Sequence, residues 1–329
     1  MSDHFAFASA GPCAEFGVPH RSSFQVGGVS VEMWGHRSTD VTLVPGLEPF
    51  RVTSCVSDIG IQVEWVPELC PNPGRQLFDS GSLWRLYENE AGFQFDFNVP
   101  ILGERPYKRL LIDSDYCQAT LQMSEECFAY FPYAAEPLEY PLDELLIMHR
   151  LTQEKAIELH GCGIVGPDGA SNLFVGHSGA GKSTTTRLWT AHHDVQILSD
   201  DRIIVREHRV RDENVHDDEL YENELRKDAT QIFMYGTPWH GEAAFALPDR
   251  APLQRIFILE HGCGNVITRL SRSQTVAELF ARSFVPFHRH EYVDSALRFL
   301  EHVADSVPCY RYAFEPDERA VDRILNFHD

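Results

Sequence analysis

The chain has 329 residues, a formal net charge of −21 and a hydrophobic content of 43%. That length exceeds what one small core organises and predicts two domains, and the apolar content is too high for a disordered chain. So acidic a surface repels nucleic-acid backbones and anionic lipid and argues against both as partners, while a site for an anion such as ATP has to build its own positive potential. Residues 1–8 carry no basic segment, and no apolar run is long enough to span a bilayer, which predicts a cytoplasmic protein. The eight cysteines are scattered with no C-x-x-C pair and read as reduced thiols rather than disulfides or a zinc site.

Residues 1–140 read as a β-rich domain. Phe24 to Trp34 alternates weakly, and 60–66 alternates cleanly between apolar and polar residues, as a half-buried strand does. The runs 83–87 and 93–99 flank a turn with Gly92 and predict a hairpin, with further strands over 108–112 and 118–123. Residues 70–74 read as a loop.

The pattern changes at Pro141, where a second domain over 141–329 is expected to begin. Proline suits a first helical turn, and Leu142, Leu145, Leu146 and Met148 give a helix to about Lys155 its apolar face. Strands over 157–165 and 172–175 follow, then a glycine-rich loop, a helix to about His193 and a strand over 195–198. A strand over 255–260, a helix from about Ser271, a strand over 310–314 and a helix over 318–327 complete the chain. Between the last two strands, 291–307 carries Val293, Ala296, Leu297, Leu300, Val303, Ala304 and Val307 at helical spacing, a core-facing stripe. Strands alternating with helices predict an α/β layer architecture.

Gly176-His177-Ser178-Gly179-Ala180-Gly181-Lys182-Ser183 matches G-x-x-x-x-G-K-[ST], with an apolar strand before it and a helix after it. Glycines let backbone N–H groups turn inward around an anion, and the helix N-terminus adds its dipole. Residues 176–184, Thr184 included, are therefore the expected ATP site, with Lys182 on the outer phosphates and the Ser183 hydroxyl on Mg²⁺. Downstream, the strand 195–198 runs into Ser199-Asp200-Asp201-Arg202. Carboxylates at that strand's end suit a metal and a proton-accepting role. His160, in Leu159-His160-Gly161, lies just upstream of the loop.

In these residues the chain resembles the HPr kinase/phosphorylase family and its wider group. The family shows a His-Gly ahead of the loop, G-x-S-G-x-G-K-S, and Asp-Asp-Arg after the next strand; here these are His160-Gly161, residues 176–183 and residues 200–202. The resemblance covers roughly 141–329, with its strong part in 160–202. It implies a P-loop fold with a mixed sheet, shared with phosphoenolpyruvate carboxykinase, and transfer of the γ-phosphate of ATP to a serine-type hydroxyl. It also implies Asp200 as the acid/base, His160 hydrogen-bonded to Asp200 and orienting it, and Asp201 on the metal with Ser183. The family's Glu-Ile-Arg-Gly signature has no counterpart; at the corresponding distance stands residues 235–242, whose Trp239, His240 and Glu242 are candidates for the acceptor side.

The expected activity is thus an ATP- and Mg²⁺-dependent kinase acting on a hydroxyl of a peptide, protein or small molecule. The front domain would shape the acceptor site or carry homo-oligomer contacts. The alternative from another class is a nucleotide-binding regulator or scaffold that transfers nothing. A GTPase or transport ATPase is disfavoured, since neither an Asn-Lys-x-Asp guanine reader nor a Leu-Ser-Gly-Gly-Gln signature occurs.

Overall fold

A computed structural model describes residues 18–53, 56–71, 74–103, 105–129, 136–191, 194–210 and 229–328. Residues 1–8, Cys13, Cys55, the middle of the 70–74 loop and the expected helix end at His193 lie outside them. The fold is mixed α/β, with two mixed sheets and more strand than helix.

The first sheet takes β1 (His20–Val26), β2 (Val29–Gly35), β3 (Ile59–Val66), β4 (Arg75–Asp79), β5 (Trp84–Asn89), β6 (Gly92–Phe97), β7 (Lys108–Ile112) and β8 (Gln118–Ser124). Their order is β1-β2-β3-β8-β7-β6-β5-β4, with β3 parallel to both β2 and β8 and the other pairs antiparallel. The hairpin across Gly92 forms as the alternation predicts. The single weak stretch from Phe24 to Trp34 is instead two strands turning at Gly27 and Gly28, and β4 is an edge strand with no sequence signal strong enough to announce it.

After the short α1 (Glu125–Ala129) comes α2 (Leu142–Leu151). Its Leu142, Leu145, Leu146 and Ile147 share one buried cluster with Phe24, Val31, Phe95 and Leu121 of the first sheet. The helix expected to open the second domain therefore packs into the first sheet's core, and residue 141 does not divide two cores.

The second sheet comprises β9 (Ala156–Val165), β10 (Ser171–Val175), β11 (Gln196–Ser199), β12 (Arg202–Val210), β13 (Ala229–Gly236), β14 (Arg250–Pro252), β15 (Arg255–His261), β16 (Val266–Arg269), β17 (Ser283–Phe284) and β18 (Cys309–Phe314). Its helices are α3 (Lys182–Thr190), α4 (Arg272–Phe280), α5 (His290–Ser306) and α6 (Glu318–Leu325). The main order is β14-β13-β12-β9-β10-β15-β18-β16, with β11 and β17 also paired to β9. β10, β15 and β18 run parallel, and β9 is antiparallel to β10 and β12. The expected helices α4 to α6 all form, Ser271 capping α4 through its hydroxyl and Asp317 capping α6.

Period-two alternation sorts the faces of this sheet. Ile157, Leu159, Ile203 and Val205 face α5, whose buried Ala296, Leu300 and Val303 belong to the expected stripe. Cys162, Ile164 and Phe174 lie on the opposite face, with Trp189 of α3 and Val321 of α6. Further along that second face, Ile204, Tyr235 and Trp239 join the cluster of α2 and the first sheet. One face thus has two coverings, and the seam between them is where the sequence motifs meet. The six described cysteines are free thiols. No described helix is long and apolar enough to cross a membrane.

Candidate active site

β10 delivers the chain into the glycine loop, and α3 starts at Lys182. Gly181 adopts φ +106°, and a Cβ there would stand 2.4 Å from Cζ of Phe314, so only glycine lets the loop close onto β18. His177, Ser178 and Gly179 form the exposed crest, with open space above Gly179. Lys182 Nζ folds back over the loop and donates to the carbonyls of Gly176 (3.1 Å) and His177 (3.2 Å). Burial lowers the Lys182 pKa, against the pull of Asp201. The arrangement is a ring of backbone groups at a helix N-terminus with one cation across it, which suits a polyphosphate.

β9 carries His160 alongside this loop. The Gly176 N–H donates to the His160 carbonyl (3.2 Å), the His160 N–H to the Arg282 carbonyl (2.8 Å), and His160 sits opposite Arg202 in the β9–β12 ladder. One strand therefore holds the loop's first residue on one side and the Asp-Asp-Arg segment on the other. The His160 ring lies 6.0 Å from Phe284, edge to face.

The expected pairing is corrected here. His160 Nε2 donates to Asp201 Oδ1 (3.0 Å), not to Asp200. Adjacent residues leave a strand end on opposite sides, so only one of the two can reach the loop. Asp200 is 0% exposed and accepts backbone N–H groups from Gly241 (3.0 Å), Ala243 (2.9 Å) and Phe245 (3.2 Å). It pins the segment 241–245 and offers nothing to solvent, so it is not placed for the acid/base role expected of it. Burial opposes ionisation of Asp201, but His160, Arg202 and Lys182 outweigh it and hold the carboxyl below its usual range.

Arg202 ties this pair to the interior. Nη1 contacts Asp201 Oδ2, Nε donates to Glu144 Oε1 of α2 (3.0 Å), and Glu158 Oε1 lies 3.5 Å away. The guanidinium lies over the Phe284 ring at 4.1 Å. Glu158 is fully buried; burial and then Glu144 push its carboxyl well above the usual range. For Arg202 burial works against the charge, and Glu144, Asp201 and Glu158 more than restore it.

Of the three acceptor-side candidates, two face the site. Trp239 and His240 line a cavity of about 440 Å³ together with Tyr140, Asp143, Asp201 and Arg202. Trp239 Nε1 donates to Asp143 Oδ2 (2.9 Å), a carboxyl raised to about 6 by burial. Glu242 turns instead to Arg187 on α3 (3.6 Å), both side chains exposed.

Sequence reasoning missed Glu144, Glu158 and Arg282. A glutamate on the apolar face of a helix and another inside the strand Ile157-Glu158-Leu159 were signals, since buried charges need partners. Arg282 is nine-tenths buried, and its charge is the first cause lowering the His177 pKa.

The donor set suits Mg²⁺ brought in by a nucleotide. That ion takes hard oxygens, few of them from protein, and Ser183 in the first turn of α3 and Asp201 are of that kind. Among the described residues no group of three or more His, Cys, Asp or Glu forms a closed metal cage. No family model matches the sequence, and no curated protein matches it, so the site stands on its own geometry.

Proposed function

We propose that the protein is a kinase that transfers the γ-phosphate of ATP to a hydroxyl of a peptide, protein or small molecule. The single observation behind this reading is the His160–Asp201 pair, held across one strand from the first residue of the glycine loop. A passive nucleotide binder has no use for an oriented carboxylate there. The fold is read as the P-loop variety that the sequence resembles in residues 160–202, with the division near residue 140 expressed as two sheets rather than two separate cores.

In this reading the backbone of residues 176–184 and Lys182 hold the phosphates, and the Ser183 hydroxyl would hold Mg²⁺. The metal, when bound, neutralises charge on the transferring phosphoryl group. Asp201, ionised and kept in place by His160 and Arg202, accepts the proton of the attacking hydroxyl. The hydroxyl oxygen forms a bond to the γ-phosphorus, the bond to the β–γ bridging oxygen breaks, and ADP leaves. The cavity lined by Tyr140, Trp239 and His240 is the acceptor's side. Asp200 and His240 then share one task, since Asp200 fixes the segment that follows His240.

The test is calorimetric titration with Mg·ATP, followed by γ-labelled ATP offered with serine peptides and small hydroxyl compounds. Binding that falls at least about tenfold in Lys182→Ala, with label transferred by the wild type, is expected. Binding without transfer to any acceptor would favour the scaffold, and no binding would remove the reading altogether.

A further inference from the structure

A second cleft, of about 380 Å³, opens on the same sheet at the far end of β12. Its walls are the β1–β2 turn (Gly27, Gly28), Arg206 and His208 of β12, Tyr235 of β13 and Arg250 of β14. None of these residues belongs to the glycine loop or the His160–Asp201 pair. In a chain of net charge −21, a cleft with two guanidinium groups and an imidazole stands out.

Arg250 is exposed yet held in place. Its guanidinium carbon lies 5.1 Å from the Phe233 ring centre and 5.8 Å from that of Tyr235. Nη1 donates to the Tyr235 hydroxyl (3.2 Å) and reaches His208 Nε2 (3.5 Å). Among the described residues Arg250 has no carboxylate partner, and its Nε and Nη2 donate to no protein group. The one carboxylate of the cleft, Asp249, is occupied elsewhere. It accepts from the Arg250 backbone N–H (2.7 Å) and from Gln196 Nε2 (2.7 Å). Having accepted from Arg250, the Tyr235 hydroxyl keeps its own proton to donate.

Arg206 lines the same cleft. It donates to the Gly27 carbonyl (3.1 Å) and pairs with Glu154 behind it. A side chain at Gly28 would come within 3.1 Å of Arg206 Nη1, and φ there is +78°, so the turn has glycine where the guanidinium passes. Two positive side chains thus line one space the size of a small metabolite, and among the described residues only Arg206 of the two has a carboxylate partner.

We infer that this cleft binds a small organic oxyanion, a carboxylate or phosphate monoester, on the free edge of Arg250 with the Tyr235 hydroxyl as second donor. A guanidinium stacked on aromatic rings loses little freedom when its remaining N–H groups grip two oxygens of one anion. The burial of His208 and the charges of Arg250 and Arg206 lower its pKa. The cleft also borders the loop over the active site. Gly236 donates from its N–H to the Asp249 carbonyl (3.0 Å), so the segment carrying Trp239 and His240 starts and ends here.

Inorganic phosphate and acetate serve as probes, titrated separately into the full chain carrying Lys182→Ala, which removes the principal cation of the glycine loop. Saturable binding with a millimolar Kd is expected in that background. Adding Arg250→Gln should weaken it about tenfold to hundredfold. Arg250→Lys should restore charge but only part of the affinity, and Tyr235→Phe, which keeps the ring under Arg250, should weaken binding less than Arg250→Gln. Phosphate bound in preference to acetate marks a phosphate monoester as the ligand class; the reverse marks a carboxylate. Unchanged binding in Arg250→Gln, or no binding of either anion in the Lys182→Ala chain, overturns the assignment. Loss of Mg·ATP binding in wild type would leave this result untouched.

Discussion

The His160 ring nitrogen Nε2 lies 3.0 Å from Asp201 Oδ1, while the adjacent Asp200 turns both its oxygens to the backbone N–H groups of Gly241, Ala243 and Phe245. Two neighbouring carboxylates of the same chemistry therefore have separate tasks. One is a half-buried acceptor facing the loop, the other an internal anchor.

The anchor is expected to show itself in stability. Asp200→Asn places an NH₂ group among three N–H donors and removes charge-assisted hydrogen bonds, at a cost of about 2–3 kcal/mol. Asp201→Asn leaves Arg202 paired with Glu144 and should cost less than half as much. Denaturant midpoints of the two variants check this. Equal losses would mean that both carboxylates serve the fold alike.

Arg202 serves Asp201 and Glu144 at once, with Glu158 nearby. Arg202→Met strands two carboxylates in a poorly solvated site and is expected to cost about 3–5 kcal/mol. Adding Glu144→Gln should return part of that loss, because one stranded charge is gone. Chemical unfolding of the single and double variants measures the coupling. Strict additivity would contradict the shared pairing.

A pH dependence follows from a cluster away from the site. His149 stands between the rings of Phe95, Tyr116 and His288, with its Nδ1–H donated to the Leu145 carbonyl (2.6 Å). Burial first, and then His288, lower its pKa from 6.5 to about 3. The folded state therefore binds its proton later than the unfolded state, and the stability this histidine leaves intact above pH 6.5 is lost as pH falls toward 3. The slope is about 1.4 kcal/mol per pH unit in that window. Asp143, raised to about 6, and the raised Glu158 act in the opposite sense. The clean readout is thus the difference between wild type and His149→Phe, which should shift in favour of the variant as pH is lowered from 7 to 4.5. A pH-independent difference would show that the imidazole titrates normally.

Most strands and helices that position the site were legible from periodicity. The loop 176–183, the strand after it and the stripe of α5 follow from apolar spacing, glycine placement and capping residues. What alternation could not resolve was Gly27-Gly28, where a turn interrupts a run that continues to look like one strand. The β12–β13 ladder went unread, because the connection between its strands is long and Glu207 and His208 break the apolar pattern. The structure brings the motif residues of 160–202 together, but it pairs His160 with Asp201 where Asp200 was expected. Whether Asp200 or Asp201 reaches His160 depends on which side of the strand end the chain leaves, and one register step exchanges the two. Glu144 and Glu158 were hidden for a related reason: their partner Arg202 is remote in sequence, and only the sheet brings the three together.

The central claim, that Asp201 is the carboxylate that serves phosphate transfer beside a nucleotide held by residues 176–184, is tested most directly by single-turnover transfer from γ-labelled Mg·ATP. Wild type, Asp200→Asn and Asp201→Asn are compared at a temperature where all three are folded, with the ATP affinity of each measured in parallel. Asp201→Asn is expected to lose on the order of 10²–10⁴ in rate at little-changed ATP affinity, while Asp200→Asn retains most of the rate once its lower stability is taken into account. Wild-type transfer by Asp201→Asn, or the large loss falling on a folded Asp200→Asn instead, would contradict the assignment.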